Sequence, residues 1–296
     1  MKQGLIYAIL AYTAWGLLPL YWKWFEEVPA GEILSHRVVW SFVLMAVVLL
    51  IQRKWKAFRE ILADGRKMLT LGISGILISA NWLIFIWAVN NGHVIETSLG
   101  YYLNPLMNVV MAVLFLREKP NRWQWAAVAL AGLGVLTVAI DYGRIPWISL
   151  SLALSFSLYG LVKKKASFDA SIGLLGETAF VFPIALVYLI GLQANGQEAA
   201  WSLPPEMLAL LLLSGLATAM PLIWFAKAAA RLPFSMLGFI QYIGPSISLL
   251  LSVWVFREPF SPVLLASFSL IWAALVVFMA ASARGSGKMA AKPANS

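Results

Sequence analysis

Stretches of about twenty consecutive apolar residues recur along the whole chain, separated by short polar connections. That recurrence limits the possible folds more than any other feature, because about 20 such residues are what an α-helix needs to cross the hydrocarbon core of a bilayer. Ten segments qualify, near residues 4–24, 32–52, 69–90, 96–116, 123–140, 145–163, 171–192, 206–230, 233–256 and 261–282. The chain is 61% hydrophobic and 12% charged, where soluble domains carry about 45–50% apolar and about 25% charged residues. Water could not be the solvent for this surface; a lipid bilayer can. The expected fold is therefore an all-α integral membrane protein of ten transmembrane helices, with no room for a soluble domain. The first apolar run continues to Tyr21, longer than a signal-peptide core, and reads as a retained helix. The tail 284–296 is small and polar and reads as disordered and cytoplasmic.

The net charge is +9. In a soluble chain that would suggest nucleic acid; here the basic residues sit in the connections, where they set topology instead. With the N-terminus in the cytoplasm, eighteen of the 22 Lys and Arg residues fall on the inner side. Lys23, Arg144 and Arg257 fall on the outer side, and Arg37 lies within a helix. This asymmetry favours both termini inside, and an even number of spans.

The chain also aligns with itself at an offset of 140 residues, pairing Ser74-Gly75 with Ser214-Gly215, Phe85 with Phe225, Tyr102 with Tyr242, Pro105 with Pro245, and Arg117-Glu118 with Arg257-Glu258. Two five-helix repeats follow, residues 1–140 and 141–283. An odd number of spans per repeat inverts the second copy. Inverted repeats give a protein two near-equivalent conformations, one open to each side, which is how alternating access is built.

The fourth and ninth segments carry proline at equivalent places, in Gly100-Tyr101-Tyr102-Leu103-Asn104-Pro105 and Ile240-Gln241-Tyr242-Ile243-Gly244-Pro245. Proline leaves a helix carbonyl free, which in a membrane must face protein or a wet cavity. Helical spacing puts Thr97, Tyr101, Asn104 and Asn108 on one face, and Gln241, Gly244, Ser248 and Ser252 on another. Paired, proline-interrupted segments point to a solute-binding path, although the same small and polar residues also serve helix packing. Tyr101, Tyr102, Asn104, Asn108, Gln241, Tyr242 and Ser248 are the candidate substrate contacts, with Trp15 and Trp82 as aromatic walls for a small molecule. His36, Arg37 and Glu177 are ionisable residues within spans, and Arg37 and Glu177 are equivalent at the 140 offset. Such residues mark pathways or are tied structurally. On the first reading Arg37 favours an anionic substrate group and Glu177 a cation or proton.

Enzyme signatures are missing. There is no Gly-Lys-Ser/Thr phosphate loop and no Gly-x-Ser-x-Gly elbow. With two histidines and no cysteine, no metal site and no cofactor are expected. Nothing in the pattern fixes an oligomeric state. The leading function is a secondary transporter; a flippase for a lipid-linked substrate and a membrane-embedded enzyme or scaffold are the alternatives.

Several strings carry a family resemblance: Ala14-Trp15-Gly16, Ser35-His36-Arg37-Val38-Val39-Trp40-Ser41, Asn81-Trp82, Ser98-Leu99-Gly100-Tyr101-Tyr102-Leu103-Asn104-Pro105-Leu106 and Gln241-Tyr242-Ile243-Gly244-Pro245-Ser246. Over residues 4–282 the chain resembles the EamA family of the drug/metabolite transporter superfamily. The resemblance implies ten helices in two repeats, a bacterial plasma-membrane location, and transport, often efflux, of metabolites or drugs. Small four-helix members of that superfamily exchange protons on a first-helix carboxylate. Here no carboxylate precedes Glu26, so Glu177 or His36 would have to substitute.

Overall fold

The protein, as a computed structural model, is described over residues 2–117, 120–166, 169–229, 231–232 and 240–290. All regular structure among them is helical. The helices are α1 (Lys2–Lys23), α2 (Ala30–Ile51), α3 (Trp55–Leu62), α4 (Gly65–Asn90), α5 (Val94–Leu116), α6 (Arg122–Asp141), α7 (Trp147–Ala166) and α8 (Ala170–Ala194). A 3-10 turn (Ala200–Ser202) precedes α9 (Pro205–Leu212) and α10 (Ser214–Ala229). Then come α11 (Ile243–Leu250), which runs into a π turn (Leu251–Val255), and α12 (Pro262–Ala290).

Among the described residues, eight stretches are long and apolar enough to cross a membrane, with α9 and the start of α10 counting as one; Trp147–Lys163 and Ile243–Val255 are shorter apolar helices. The polarity is that of a protein dissolved in lipid. Ile140, Val187 and Trp254 are at least 70% exposed, while Arg37, Glu177, Glu32 and Thr218 are at most 3% exposed.

The helices pack in matched pairs. α2 lies against α8, α6 against α12, and α5 against α11. α1 packs on α10 and α11, and α7 packs on α4 and α5; α2 meets α10, and α8 meets α4. Local details recur at the 140-residue offset too. Arg117 and Arg257 both take left-handed backbone, with φ 55° and 54°, a conformation uncommon outside glycine. Asn121 caps α6 through the N–H groups of Trp123 and Gln124, and Ser261 accepts from Leu264 N–H at the start of α12.

Some details differ from the sequence expectation. The first long connection folds into the short helix α3, whose Phe58 is buried. The eighth segment divides into α9 and α10 around Leu213. Pro105 lies inside α5, but Pro245 sits in the first turn of α11, where a missing N–H loses no helix bond. α12 continues past Arg284 to Ala290: extending an existing helix needs no new nucleus. Glu118 of the repeated Arg-Glu pair, residues 233–239 of the ninth segment, and residues 291–296 of the tail lie outside the described residues.

One cap joins two elements. Asp169 accepts from the N–H groups of Ser171 and Ile172 at 3.0 and 3.4 Å, and from Lys54 Nζ at 2.8 Å. Burial raises its carboxyl, but Lys54 and the two amides outweigh burial and hold it below the usual range. A depressed folded pKa means that the stabilisation is present above the unfolded value of about 3.9 and fades as pH falls through the folded one. Asp169→Ala is expected to cost about 1 kcal/mol, or about 2–4 °C in thermal unfolding at pH 7, with the difference shrinking in acid.

Candidate functional site

Arg37 is the most unusual group in the molecule. It sits two turns into α2 and is 3% exposed. Its guanidinium lies over the ring of Trp82 at 4.0 Å and that of Trp22 at 5.0 Å. Nε donates to Thr218 Oγ1 at 2.8 Å, and the Thr218 hydroxyl in turn donates to the Ser214 carbonyl. Nη1 is buried with no partner. Among the described residues no carboxylate pairs with Arg37.

Five helices converge around Arg37. The end of α1 supplies Trp22, α2 supplies Arg37, α4 supplies Trp82 and α10 supplies Thr218; Tyr21 of α1 and Tyr101 of α5 lie within electrostatic reach. Tyr21 is held by a hydrogen bond to the Leu210 carbonyl. Tyr101 O–H points to Asn81 Oδ1 at 3.5 Å, and Asn81 is fixed by the Leu152 carbonyl and Ser155 Oγ. A desolvated cation–π contact is worth about 2 kcal/mol, and a hydrogen bond from a charged donor about 1.5–3 kcal/mol. Together they match the several kcal/mol that desolvating an ion costs, yet one edge of the guanidinium remains unsatisfied.

Glu177 differs from Arg37, with which it aligns at the 140-residue offset. It is 1% exposed, but Lys163 Nζ lies 2.7 Å away and Tyr159 O–H 3.2 Å away. Its charge is thus answered within the protein.

The proline-bearing elements touch. Tyr102 O–H and Ser246 Oγ are 2.6 Å apart, and the Tyr102 ring stacks on Tyr242 with centroids at 5.9 Å. Ser98 donates to the Pro245 carbonyl and Ser248 to the Gly16 carbonyl. Tyr102, Tyr242 and Ser248 therefore fasten α1, α5 and α11 together at this level. Gln241 is half-buried in the turn before α11. Asn104 is buried with Oδ1 unpartnered, whereas Asn108 is exposed. Trp15 packs with Tyr12 and Phe225 on the α1–α10 contact, away from the contacts of Arg37. Of the residues named from sequence, Arg37, Trp82 and Tyr101 come together.

Two further clusters lie at helix ends. Glu258 accepts the first N–H groups of α5, from Val94 and Ile95, at 2.7 Å each. It borders a cleft of about 410 Å³ with His93, Glu96 and Arg144. His93 and Arg144 both approach Glu96, at 3.2 and 3.8 Å. Elsewhere Glu32, His36 and Glu198 bring ligand atoms within 4.8 Å of one another, a grouping missed by the sequence-based expectation of no metal-ligand cluster. The i, i+4 spacing of Glu32 and His36 was its one legible sign.

Residues 2–140 match the model of the EamA-like transporter family. An uncharacterized transporter of Bacillus subtilis, YojE, is 47% identical over 94% of this chain and 93% of its own. The chain belongs to the EamA-like transporter family. Within that family, Protein RarD of Escherichia coli is 43% identical over 94% of each chain, and an uncharacterized transporter of Vibrio cholerae is 47% identical over 94% of this chain and 92% of its own. A solved crystal structure of 18% identity superposes with a TM-score of 0.60, covering 94% of this chain and 96% of its own, a likeness of fold alone. This EamA-like chain is a multi-pass membrane transporter, as its apolar helices and relatives agree.

Proposed function

We propose that this chain is a secondary transporter of the bacterial inner membrane that exports a small metabolite or drug-like solute bearing an anionic group. It works by alternating access between two inverted five-helix repeats, residues 1–140 and 141–283. It has ten spans, and both termini are cytoplasmic. The observation that carries the substrate class is Arg37, a buried cation with aromatic walls, a free Nη1 and no internal counter-ion among the described residues. The solute's anion completes the guanidinium while its apolar body lies against Trp22, Trp82 and Tyr101. Glu177, already neutralised by Lys163, then serves as a helix tie, and a proton, if one couples, competes with Lys163 for it.

The repeat reading is supported by the exchange of helix partners described above and by the paired left-handed arginines and caps. The Tyr102–Ser246 and Tyr102–Tyr242 contacts join the two halves at one depth, as a closed gate between alternating cavities would. Export follows from the family resemblance.

Counterflow in proteoliposomes tests this. A panel of small organic anions, zwitterions and cations is offered to the purified protein, and saturable exchange is expected for members with a carboxylate or phosphate beside an apolar body. Exchange of cations alone would sink the reading. The chain has no cysteine, so single cysteines placed at Gln3 and Ser286 report topology directly; both should react from the cytoplasmic face only.

A further inference from the structure

We infer that Glu32, His36 and Glu198 form a binding site for one divalent transition-metal ion of the Zn²⁺ class, fastening the loop between α8 and α9 to the start of α2. No part of the transport reading is needed for this.

Glu32 and His36 stand one above the other on α2, four residues apart, and Glu198 approaches from the loop after α8. All three ligand atoms lie within 4.8 Å of one another, so small rotamer changes bring them to the roughly 2.0–2.2 Å bonds that Zn²⁺ makes. The cluster is more than a group of acids. His36 is 5% exposed, and its Nε2 is buried without a partner. Glu198 Oε2 is buried without a partner as well. Two carboxylates beside an unbonded imidazole nitrogen make a poor arrangement in the absence of a cation, since like charges repel and buried polar atoms lose their hydration. A dication answers all three groups at once.

The surroundings suit a ligand set. Glu32 accepts the N–H groups of Ala200 at 2.7 Å and Ala199 at 3.1 Å. Those bonds orient its carboxylate and hold the 3-10 turn, the kind of support that fixes metal ligands. One imidazole and two carboxylates favour zinc and its first-row neighbours over calcium or magnesium, which take all-oxygen shells of six or more. Three protein ligands leave a fourth tetrahedral position for water. Glu198 is only half-buried, which gives the ion a way in.

The test uses the full chain without an affinity tag, in detergent, stripped with a chelator and then given Zn²⁺ alone. One ion per chain is expected by competition with a chromogenic chelator, with thermal unfolding raised by about 5 °C at about a hundredfold excess over Kd. Co²⁺ should give a visible absorption band. His36→Gln and Glu198→Gln should each abolish binding and the thermal shift, while His93→Gln, at the chain's other histidine, should keep both. Glu198 lies in a connection, so its variant keeps the test decisive should His36→Gln misfold. The inference is overturned if the wild type takes up no saturable Zn²⁺, if Ca²⁺ or Mg²⁺ stabilises it equally, or if Glu198→Gln binds like the wild type. A site that only shares a proton between His36 and Glu198 would give the first of these.

Discussion

Replacing Arg37 by glutamine should weaken binding of the anionic solute about 30-fold or more, and counterflow should fall with it. Removing one member of a buried, hydrogen-bonded charge pair costs about 2–5 kcal/mol of binding, and each 1.4 kcal/mol is about tenfold. The fold should survive. The guanidinium has no carboxylate partner among the described residues, so its loss strands no opposite charge, and a neutral side chain in its place removes a desolvation penalty. Glutamine also retains an amide able to reach Thr218. Thermal unfolding of Arg37→Gln should therefore match or exceed the wild type while transport collapses, a combination that a merely structural arginine would not produce. Arg37→Lys should fall between the two. It keeps the charge but loses the planar fork and the stacking over Trp22 and Trp82. The two indoles also supply the readout, since an anion binding against Arg37 alters their fluorescence. An Arg37→Gln protein that exchanges the solute with unchanged KM and rate would exclude this residue from the transport path.

Much of the architecture was legible because membrane helices advertise themselves. Most of the expected spans fall within a few residues of observed helices, since a run of twenty apolar residues has few alternatives in lipid. The offset that aligns Pro105 with Pro245 also aligns Arg117 with Arg257, and both arginines take left-handed backbone. What sequence could not supply is convergence. Trp22 looks like an interfacial anchor at the end of α1, yet it is fully buried and lies over Arg37 of α2. Lys163 reads as one of three lysines setting topology, yet α7 stays helical through Ala166 and the long stem of Lys163 reaches Glu177. The equivalence of Arg37 and Glu177 suggested that both line one path, for an anion and for a cation or proton; their neighbours differ, for Lys163 already answers Glu177 while Arg37 has no carboxylate partner among the described residues. Glu198 lies far along the chain from Glu32 and His36, and no periodicity links them. Helix α3 was missed because its short amphipathic turn, with Trp55 and Phe58 on one side, is too brief to register as a span.

Leucine at Gly75 or Gly215 should abolish the yield of folded protein, and alanine at either should cost about 1–3 kcal/mol, the usual range for overpacking. A Cβ at Gly75 would stand 2.6 Å from the carbonyl oxygen of Glu177 on α8, and one at Gly215 would stand 2.5 Å from the carbonyl of Trp40 on α2. Main-chain atoms in the middle of a helix cannot swing aside as a side-chain tip can. The helices must separate, and a gap of under an ångström already forfeits a quarter to a half of each dispersion contact along the seam. In lipid that loss weighs heavily, because packing of small residues rather than expulsion of water holds such helices together. Gly132 is the control: a Cβ there meets nothing within 4 Å, so Gly132→Ala should stabilise α6 by up to about 1 kcal/mol. The two glycines are related by the same 140-residue offset, so similar losses in thermal unfolding are expected if the halves are built alike, and a large loss at one with none at the other would argue against the repeat. Their functional signatures should still diverge. Gly75→Ala loosens α4 from α8 beside the Glu177–Lys163 pair, whereas Gly215→Ala shifts α10 one turn from Thr218, the residue that holds Arg37 Nε. Solute affinity should therefore fall more in Gly215→Ala than in Gly75→Ala at equal loss of stability, which separates the arginine cluster from the helix seam that supports it.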